Sequence, residues 1–164
     1  MIITDKHNIE FSASLNNISL VEKFAEELCD YFNVNNDYYG NILIALTEAA
    51  SNAIIHGNKS DANKNVFISF QAKNGCLSFT VKDQGEGFDF NNIPDPTDPN
   101  NENENAGRGI YLIKSLSDEV NFLENGRVVE INFKITNINN SLSTKRIQQY
   151  QKHLQEKKVG AKKK

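Results

Sequence analysis

Apolar residues recur along this chain with two different periods, which together predict five strands and three helices. Alternation of apolar and polar positions is typical of a strand with one buried face. Apolar positions at three- and four-residue steps, such as Val21, Phe24 and Leu28, instead mark the buried face of a helix, which Asn17 or Ser19 could cap. In chain order the predicted elements are a strand at 7–14, helices at 17–32 and 37–56, strands at 64–73 and 76–82, a helix at 107–117, and strands at 119–123 and 127–136.

Turn residues separate these elements. Asn74-Gly75 and Asn125-Gly126 each lie between two apolar runs, which is a strong hairpin signal. Gly57 is a natural stop for the second helix. Residues 84–106 hold all three prolines and many Asn, Asp and Glu, so we expect a long, mobile loop there. The residues expected to face inward from the helix after this loop are Ile110, Leu112, Ile113 and Leu116.

The order of the elements indicates the fold class. Strands and helices do not alternate regularly, and a parallel doubly wound sheet would need more crossover helices than the pattern provides. We therefore predict an α+β fold: a two-layer α/β sandwich with one mixed, mostly antiparallel sheet and helices on one face. This domain should cover residues 1–136, and a basic C-terminal extension, partly helical or disordered, should cover 137–164.

Length and composition narrow the class of protein. At 164 residues with 38% apolar residues, the chain can form one domain with a real core but not two comfortable ones. No apolar run approaches the roughly 20 residues that a membrane helix needs, and the N-terminus lacks the pattern of a secretory signal. Cys29 and Cys76 are expected to be small core residues rather than a disulfide or metal pair. We therefore expect a cytoplasmic protein that does not contact a membrane.

The net charge of −3 hides an uneven distribution. Residues 145–164 carry eight Lys or Arg against one acid, a charge of +7, and the rest of the chain carries ten basic against twenty acidic groups, a charge of −10. Because nucleic-acid binding depends on neutralising phosphates, the acidic body is not expected to bind nucleic acid directly. The basic tail could contact an acidic partner or an RNA, or it could be a solvated extension.

Polar side chains interrupt the apolar pattern of the second helix. Glu48, Asn52 and His56 follow at four-residue steps and should form one stripe. An acid and an amide among apolar neighbours need partners, because burying them unpaired is costly. Asn52 suits a magnesium ion that bridges nucleotide phosphates, and Glu48 could accept a proton from an attacking hydroxyl. The alternative is a helix with exposed polar residues, and for His56 we expect a structural role at the helix C-terminus.

A second motif follows the predicted strand that ends at Lys82. In Asp83-Gln-Gly85-Glu-Gly87-Phe88, the glycines would let the backbone approach a flat ligand closely. A buried Asp83 carboxylate could accept a hydrogen bond from an exocyclic amine such as that of adenine, where guanine offers an oxygen instead. The motif therefore predicts adenine over guanine, unless it is an ordinary Asp-and-Gly turn.

A third motif, Gly107-Arg108-Gly109-Ile110, opens the helix after the long loop. Helix N-terminal amides attract anions, and glycines let phosphates approach them. Arg108 could hold the terminal phosphate and stabilise charge during transfer, since a guanidinium suits phosphate geometry, or it could reach an acidic partner or be solvated. The chain contains neither a P-loop nor a eukaryotic protein-kinase catalytic loop.

In this order and spacing, the three motifs resemble the GHKL (Bergerat) ATP-binding fold, and more closely its anti-sigma-factor serine/threonine kinase branch. The resemblance covers roughly residues 7–135. It implies that Glu48 is the general base, that Asn52 binds magnesium and that Asp83 binds adenine. The stretch 94–99 resembles the lid that covers ATP, and the two glycine motifs would line the nucleotide. The implied cofactors are ATP and Mg²⁺.

The resemblance also implies a dual function. Members of this branch bind a sigma factor and hold it inactive, and they phosphorylate a serine on an anti-anti-sigma protein of the STAS fold, usually as homodimers. We therefore expect a Mg-ATP-dependent protein serine kinase with these partners. Two other functions remain open: a non-catalytic ATP-binding module that binds a regulator without phosphotransfer, and a slow ATPase in which water is the acceptor.

The sequence departs from this branch in two segments. Many relatives carry a Thr or Ser on a late strand beside adenine, whereas the stretch from Arg127 to Ile131 contains neither. The tail from Asn137 onward has no counterpart in the branch. Water or a backbone group is expected to take the place of the missing Thr or Ser beside adenine.

Overall fold

The computed structural model of the chain describes residues 7–73, 75–101, 107–135 and 151–156. Within these ranges the five strands and three α-helices follow the predicted order. Their bounds are β1 Asn8–Ser12, α1 Ile18–Tyr31, α2 Asn36–Asn52, β2 Asn65–Lys73, β3 Cys76–Lys82, α3 Arg108–Leu116, β4 Glu119–Leu123 and β5 Val128–Lys134. Each element lies inside its predicted range or within one residue of it.

The strands form one sheet in the order β1-β2-β3-β5-β4, and each neighbouring pair is antiparallel. The predicted α+β fold is confirmed, but among the described strands the sheet has no parallel pair, so it is not mixed. β3 and β4 do run in the same direction, because each of them is antiparallel to β5, and α3 lies in the connection between them. The hairpin between β4 and β5 inserts β5 beside β3, and this keeps the two codirectional strands apart.

One face of the sheet and the apolar sides of the helices form the core. Inward residues pair across the central strands, as Leu77 does with Phe133 and Phe79 with Ile131. α2 packs against both α1 and α3 and contacts β3 and β5, so it lies over the middle of the sheet. Cys29 belongs to this core as expected, and burial raises the pKa of its thiol to about 12, but Cys76 at the start of β3 is only half-buried.

Two local predictions about the helices are wrong. Leu112 is predicted to face inward but is 37% exposed, because the short helix α3 buries only a narrow stripe that includes Ile110 and Ile113. Neither Asn17 nor Ser19 caps α1: the Asn17 side chain makes no capping bond, and Ser19 lies inside the helix and donates to the Asn16 carbonyl at 3.2 Å. A 3₁₀ turn leads directly into α1, so Asn17 already has helical backbone angles, and its side chain instead donates to the Ser12 carbonyl at 2.9 Å.

The second helix ends in a wider turn than predicted. After α2 the chain forms a π-helical turn over Ala53–Gly57, in which the Asn58 amide donates to the Ala53 carbonyl at 2.8 Å. The helical segment does end at Gly57, as predicted. Because a π-turn holds more residues than an α-turn, His56 does not lie one regular α-turn beyond Asn52.

Other described residues belong to the connection between β3 and α3 and to the C-terminal extension. The long connection between β3 and α3 contains a 3₁₀ turn at Pro99–Asn101. In the predicted C-terminal extension, residues 151–156 are helical, and the rest of 137–164 lies outside the described residues. The division into a domain and an extension therefore stays a prediction. None of the helices in the described ranges is long and apolar enough to cross a membrane.

Candidate functional site

The acid and amide of α2 meet the third sequence motif. Glu48 and Asn52 are both half-buried on α2, one helical turn apart. Gly109 packs directly against them, since a methyl group at Gly109 would lie 3.0 Å from Glu48 Oε2 and 3.0 Å from Asn52 Nδ2. Any side chain at Gly109 would push against this pair. The fold therefore brings two motifs that are far apart in the sequence to one point.

Asp83 lies just beyond the end of β3 and is buried, with 7% of its surface exposed. The Gly85 amide donates to Asp83 Oδ1 at 2.8 Å, and the Asp83 amide donates to the Arg127 carbonyl at 3.0 Å. Burial raises the pKa of Asp83, while the Gly85 hydrogen bond and the charges of Arg127 and Lys64 act in the opposite direction. A methyl group at Gly57 would overlap the Asp83 carboxylate. This carboxylate is therefore an oriented, buried hydrogen-bond acceptor.

A cavity of about 210 Å³ lies between Asp83 and Asn52. Its walls are mainly apolar, and β3, α3 and β5 contribute Val81, Ile113 and Val129. The predicted site residues that line it are Asn52, Asp83, Gly87, Phe88 and Ile110. A mainly apolar cavity lined by an acid and an amide suits a flat heteroaromatic group that carries a polar extension.

The other predicted site residues lie around this cavity without lining it. Glu48 lies beside Asn52 through the shared contact with Gly109. Gly85 lies behind Asp83, against the Gly57 carbonyl, and Gly107 lies against the Pro94 carbonyl in the lid-like stretch. Arg108 is exposed at the first position of α3. The third motif thus reaches the acid and amide through Gly109, while the Arg108 side chain lies outside the cavity lining.

Phe88 fastens the second motif to the turn between β4 and β5. Its amide donates to the Asn125 carbonyl at 2.8 Å, and its ring meets the Phe122 ring edge-to-face, with centroids 5.6 Å apart. A methyl group at Gly126 would lie 2.6 Å from Phe88 Cδ1, so the ring rests on that turn. The Phe90 ring stacks on the Phe122 ring, with centroids 5.2 Å apart. One wall of the cavity is therefore aromatic.

Among the residues that line the cavity, Phe122 and Arg127 were given no role by sequence reasoning, and His56 was expected only to have a structural role. In the sequence Phe122 is only one residue of the predicted strand 119–123, and its place in the cavity wall follows from the position of β4 next to β5. Arg127 also lines the cavity, and its Nε donates to the Glu124 carbonyl at 3.2 Å. Together with Val129, Arg127 occupies the stretch in which the sequence lacks a Thr or Ser. The departure seen in the sequence therefore does fall on the cavity wall.

Two polar residues outside the cavity lining also escape prediction. Asn58 is fully buried, with 0% of its surface exposed, and it bonds to the turn that follows Asp83. Gln84 lies in that turn and bonds to the start of β2. Gln84 lies within the second motif and Asn58 directly follows Gly57, but sequence reasoning gives neither a role, because their partners are brought close only by the fold.

The chain is similar in sequence to several known proteins. The family model described as the histidine kinase-like ATPase domain matches residues 11–133. An anti-sigma F factor from Geobacillus thermodenitrificans (strain NG80-2) is 32% identical over 117 residues, which cover 69% of this chain and 79% of that protein. The serine-protein kinase RsbW of Staphylococcus epidermidis is 34% identical over 84 residues, which cover 47% of this chain and 53% of the kinase. RsbW of Staphylococcus aureus (strain MSSA476) is 33% identical over the same shares.

Proposed function

The chain belongs to the histidine kinase-like ATPase domain family, in its anti-sigma-factor kinase branch, and from this premise we propose that it is an ATP-dependent protein serine kinase that also sequesters a sigma factor. The observation that carries the proposal is the contact of Gly109 with both Glu48 and Asn52. This contact joins a candidate base and a candidate metal ligand to the start of α3. Asn52 and the buried Asp83 carboxylate both line the cavity.

We assign recognition of the adenine base to Asp83. Gly85 holds its Oδ1, and none of the hydrogen bonds among the described residues involves Oδ2. That oxygen can accept a hydrogen bond from the exocyclic amine of adenine, whereas guanine would present an oxygen to it. The apolar walls formed by Val81, Ile113 and Val129 suit the faces of a purine.

The donors near Asn52 fit a magnesium-bound triphosphate. Mg²⁺ prefers oxygen ligands and takes few of them from the protein, and the half-buried Asn52 side chain offers an amide oxygen. Because Gly109 has no side chain, the space beside the Asn52 amide is not filled by a methyl group. The first turn of α3 has no side-chain cap, so its backbone amides can bind phosphate oxygens. When bound, Mg-ATP supplies the phosphoryl group and neutralises the charge on its phosphates.

Two side chains of the protein would act on the reacting groups. Glu48 would accept the proton of the acceptor serine hydroxyl, and its contact with Gly109 restricts the carboxylate to one side of α2. Arg108, exposed at the first position of α3, would stabilise the negative charge on the transferred phosphate. Both roles are proposals that rest on the proximity of the two helices.

The partner proteins are proposed from the relatives. The names anti-sigma F factor and serine-protein kinase indicate a sigma factor as the sequestered partner and a serine as the phosphate acceptor. We propose a STAS-domain anti-anti-sigma protein as the substrate and a homodimer as the working form. The alternatives are an ATP-binding module that binds a partner without phosphotransfer, and an ATPase that uses water.

Label transfer from ATP tests the kinase. Wild-type protein, Glu48→Gln and the control Glu27→Gln would be incubated with Mg²⁺, ATP labelled on the γ-phosphate and a lysate of the source organism. Glu27 is exposed on α1, far from the motifs in sequence. One labelled small protein with wild type and Glu27→Gln, absent with Glu48→Gln, supports the proposal.

The alternative functions give different results in the same experiment. Nucleotide binding, measured separately by calorimetry, without any labelled protein would indicate the non-catalytic module. Labelled free phosphate without a labelled protein would indicate the ATPase. Equal labelling by wild type and Glu48→Gln would remove Glu48 as the base.

A further inference from the structure

Asn58 is a fully buried polar residue at the end of the π-turn, and each of its polar groups joins a different segment. Its side-chain Oδ1 accepts a hydrogen bond from the backbone N–H of Gln84 at 2.8 Å, and its side-chain Nδ2 donates to the backbone carbonyl of Asn65 at 3.0 Å. The backbone N–H of Asn58 donates to the backbone carbonyl of Ala53 at 2.8 Å. Asn58 therefore joins the end of the helix, the start of β2 and the turn after β3.

Gln84 completes this connection from the other side. Its Oε1 accepts a hydrogen bond from the Asn65 amide at 2.7 Å, although the Gln84 side chain itself is exposed. The backbone N–H of Asn65 thus donates to the Gln84 side chain, and the backbone carbonyl of Asn65 accepts from the Asn58 side chain. Gln84 and Asn58 are also bonded to each other, through the backbone N–H of Gln84. A closed ring of three hydrogen bonds results, and the loss of one bond weakens the geometry of the other two.

The ring acts on the residue that precedes Gln84 in the chain. Asp83 is covalently joined to Gln84, so the bond from the Gln84 amide to Asn58 fixes one end of the Asp83 residue. Gly57, which precedes Asn58, packs against the Asp83 carboxylate and presents its carbonyl to Gly85. The position of Asp83 relative to the helix therefore depends on the ring.

We propose that Asn58 and Gln84 form a positioning pair that orients Asp83 for recognition of the 6-amino group of a purine nucleotide. The inference rests on the proposed function, because it concerns the proposed adenine site. Neither side chain needs to contact the nucleotide. Their effect reaches the base through the direction of the Asp83 carboxylate, which must lie within hydrogen-bonding distance and angle of the amine.

A purely structural role for the pair makes a different prediction. A buried amide that only stabilises the fold would, when removed, lower the affinity for every nucleotide by the same factor. A pair that orients Asp83 should affect nucleotides with a 6-amino group more than those without one. The ratio between the two affinities therefore separates positioning from general stability.

The test compares ATP with purine riboside triphosphate, which lacks only the 6-amino group. Dissociation constants for both would be measured by calorimetry for wild type, Asn58→Leu, Gln84→Ala, Gln84→Glu and Asp83→Asn. Glu86→Ala is the matched control, because Glu86 is an exposed residue of the same turn. Since Gln84 is exposed, Gln84→Ala is expected to fold even if Asn58→Leu does not, and denaturant unfolding would check each variant.

We expect wild type and Glu86→Ala to prefer ATP over the analogue. Asn58→Leu and Gln84→Ala should reduce this preference by about fivefold or more, which is the effect of one misaligned buried hydrogen bond. Gln84→Glu keeps an oxygen acceptor for the Asn65 amide and should retain the preference. In an Asp83→Asn background, Asn58→Leu should change the ratio no further, because both changes act on the same bond.

Several results would overturn the inference. An unchanged ratio in Gln84→Ala and Asn58→Leu, with both affinities lowered equally, would assign the pair a structural role only. Wild type that binds both nucleotides equally would remove base recognition by Asp83 and the role of the pair with it. Wild type that binds neither would refute the proposed ATP site as well. Intact discrimination without phosphotransfer would refute the kinase alone and leave the pair in place.

Discussion

Gly57 and Asp83 are packed so tightly that the Asp83 carboxylate occupies the space a side chain at Gly57 would need. Gly57 ends the helix that carries the candidate base, and Asp83 follows the strand that leads to the base site. Their contact therefore ties the position of the Asp83 carboxylate to the end of this helical segment. A change of volume at this contact should affect nucleotide binding directly.

The first prediction concerns Gly57→Ala. The added methyl group overlaps the Asp83 carboxylate and must displace it, so we expect ATP affinity to fall by at least about tenfold and the free energy of unfolding to fall by roughly 1–3 kcal/mol. Calorimetry and denaturant unfolding would measure the two effects. Gly40→Ala is the control, because a methyl group there meets nothing within 4 Å.

The control has its own expected sign. Gly40 lies inside α2, where alanine is favoured over glycine by roughly 0.5–1 kcal/mol. Gly40→Ala should therefore stabilise the protein and leave ATP affinity unchanged. An ATP affinity in Gly57→Ala equal to that of Gly40→Ala would show that the Gly57 contact does not govern the site.

The second prediction concerns Gly109→Ala. Its methyl group would lie 3.0 Å from Glu48 Oε2 and must shift the carboxylate by a few tenths of an ångström. Because proton abstraction depends on position more steeply than binding does, we expect phosphotransfer to slow by roughly 10- to 100-fold with a smaller change in ATP affinity. Single-turnover transfer from labelled ATP measures the rate. Ser115→Ala, on the exposed side of α3, should transfer at the wild-type rate.

The third prediction concerns the pH dependence of binding. Only the ionised Asp83 carboxylate keeps both oxygens as acceptors, and burial raises its pKa above the ordinary value of 3.8. As the pH is lowered, ATP affinity should therefore begin to fall at a higher pH than it would if Asp83 had the pKa of an ordinary aspartate. Calorimetry at a series of pH values would measure this. The same titration in Asp83→Asn should lack the step, and a step of equal size in that variant would assign it to another group.

The fourth prediction concerns the pH dependence of stability. Because the pKa of Asp83 is higher in the folded protein, the folded state binds more protons than the unfolded state between the two pKa values, and stability falls as the pH rises through that window. Asp83→Asn should therefore have a higher Tm than wild type at neutral pH, although it binds ATP less tightly. The difference in Tm should shrink as the pH approaches 3.8. A Tm difference that does not change with pH would contradict this account.

The fifth prediction concerns the basic tail. If residues 137–164 bind an acidic partner, truncation after Thr136 should weaken partner binding, and the weakening should decrease at high salt because the attraction is between charges. The partner would be the protein captured by label transfer. Equal affinity of the full-length and truncated proteins would indicate a solvated tail.

The elements of the fold were predictable because each depends on a local period. The alternation in β3 and the three- and four-residue steps in α1 are visible without any knowledge of the partners. Glu48, Asn52 and Asp83 could also be proposed from sequence, because polar groups within apolar patterns stand out. The exposure of Leu112 could not, since it depends on how narrow the contact between α2 and α3 is.

The residues that hold or wall the site could not be predicted from the sequence, for a related reason. Asn58 and Gln84 are 26 residues apart, and Asn65 lies between them in sequence. Their bonds exist only once β2 and β3 are paired and the helix has ended where it does. Phe122 likewise becomes a wall of the cavity only because β5 lies between β3 and β4. Local patterns reveal the groups that carry chemistry, and the topology determines which groups hold them.

The π-turn at Ala53–Gly57 makes the length of this segment as important as its composition. Removing one residue there would let the chain close an ordinary α-turn, but the following residues would rotate by about 100° around the helix axis. Gly57 would then leave the Asp83 carboxylate, and Asn58 would lose its partners in the two strands. Single-residue insertions and deletions should therefore be far less tolerated in this turn than conservative substitutions are.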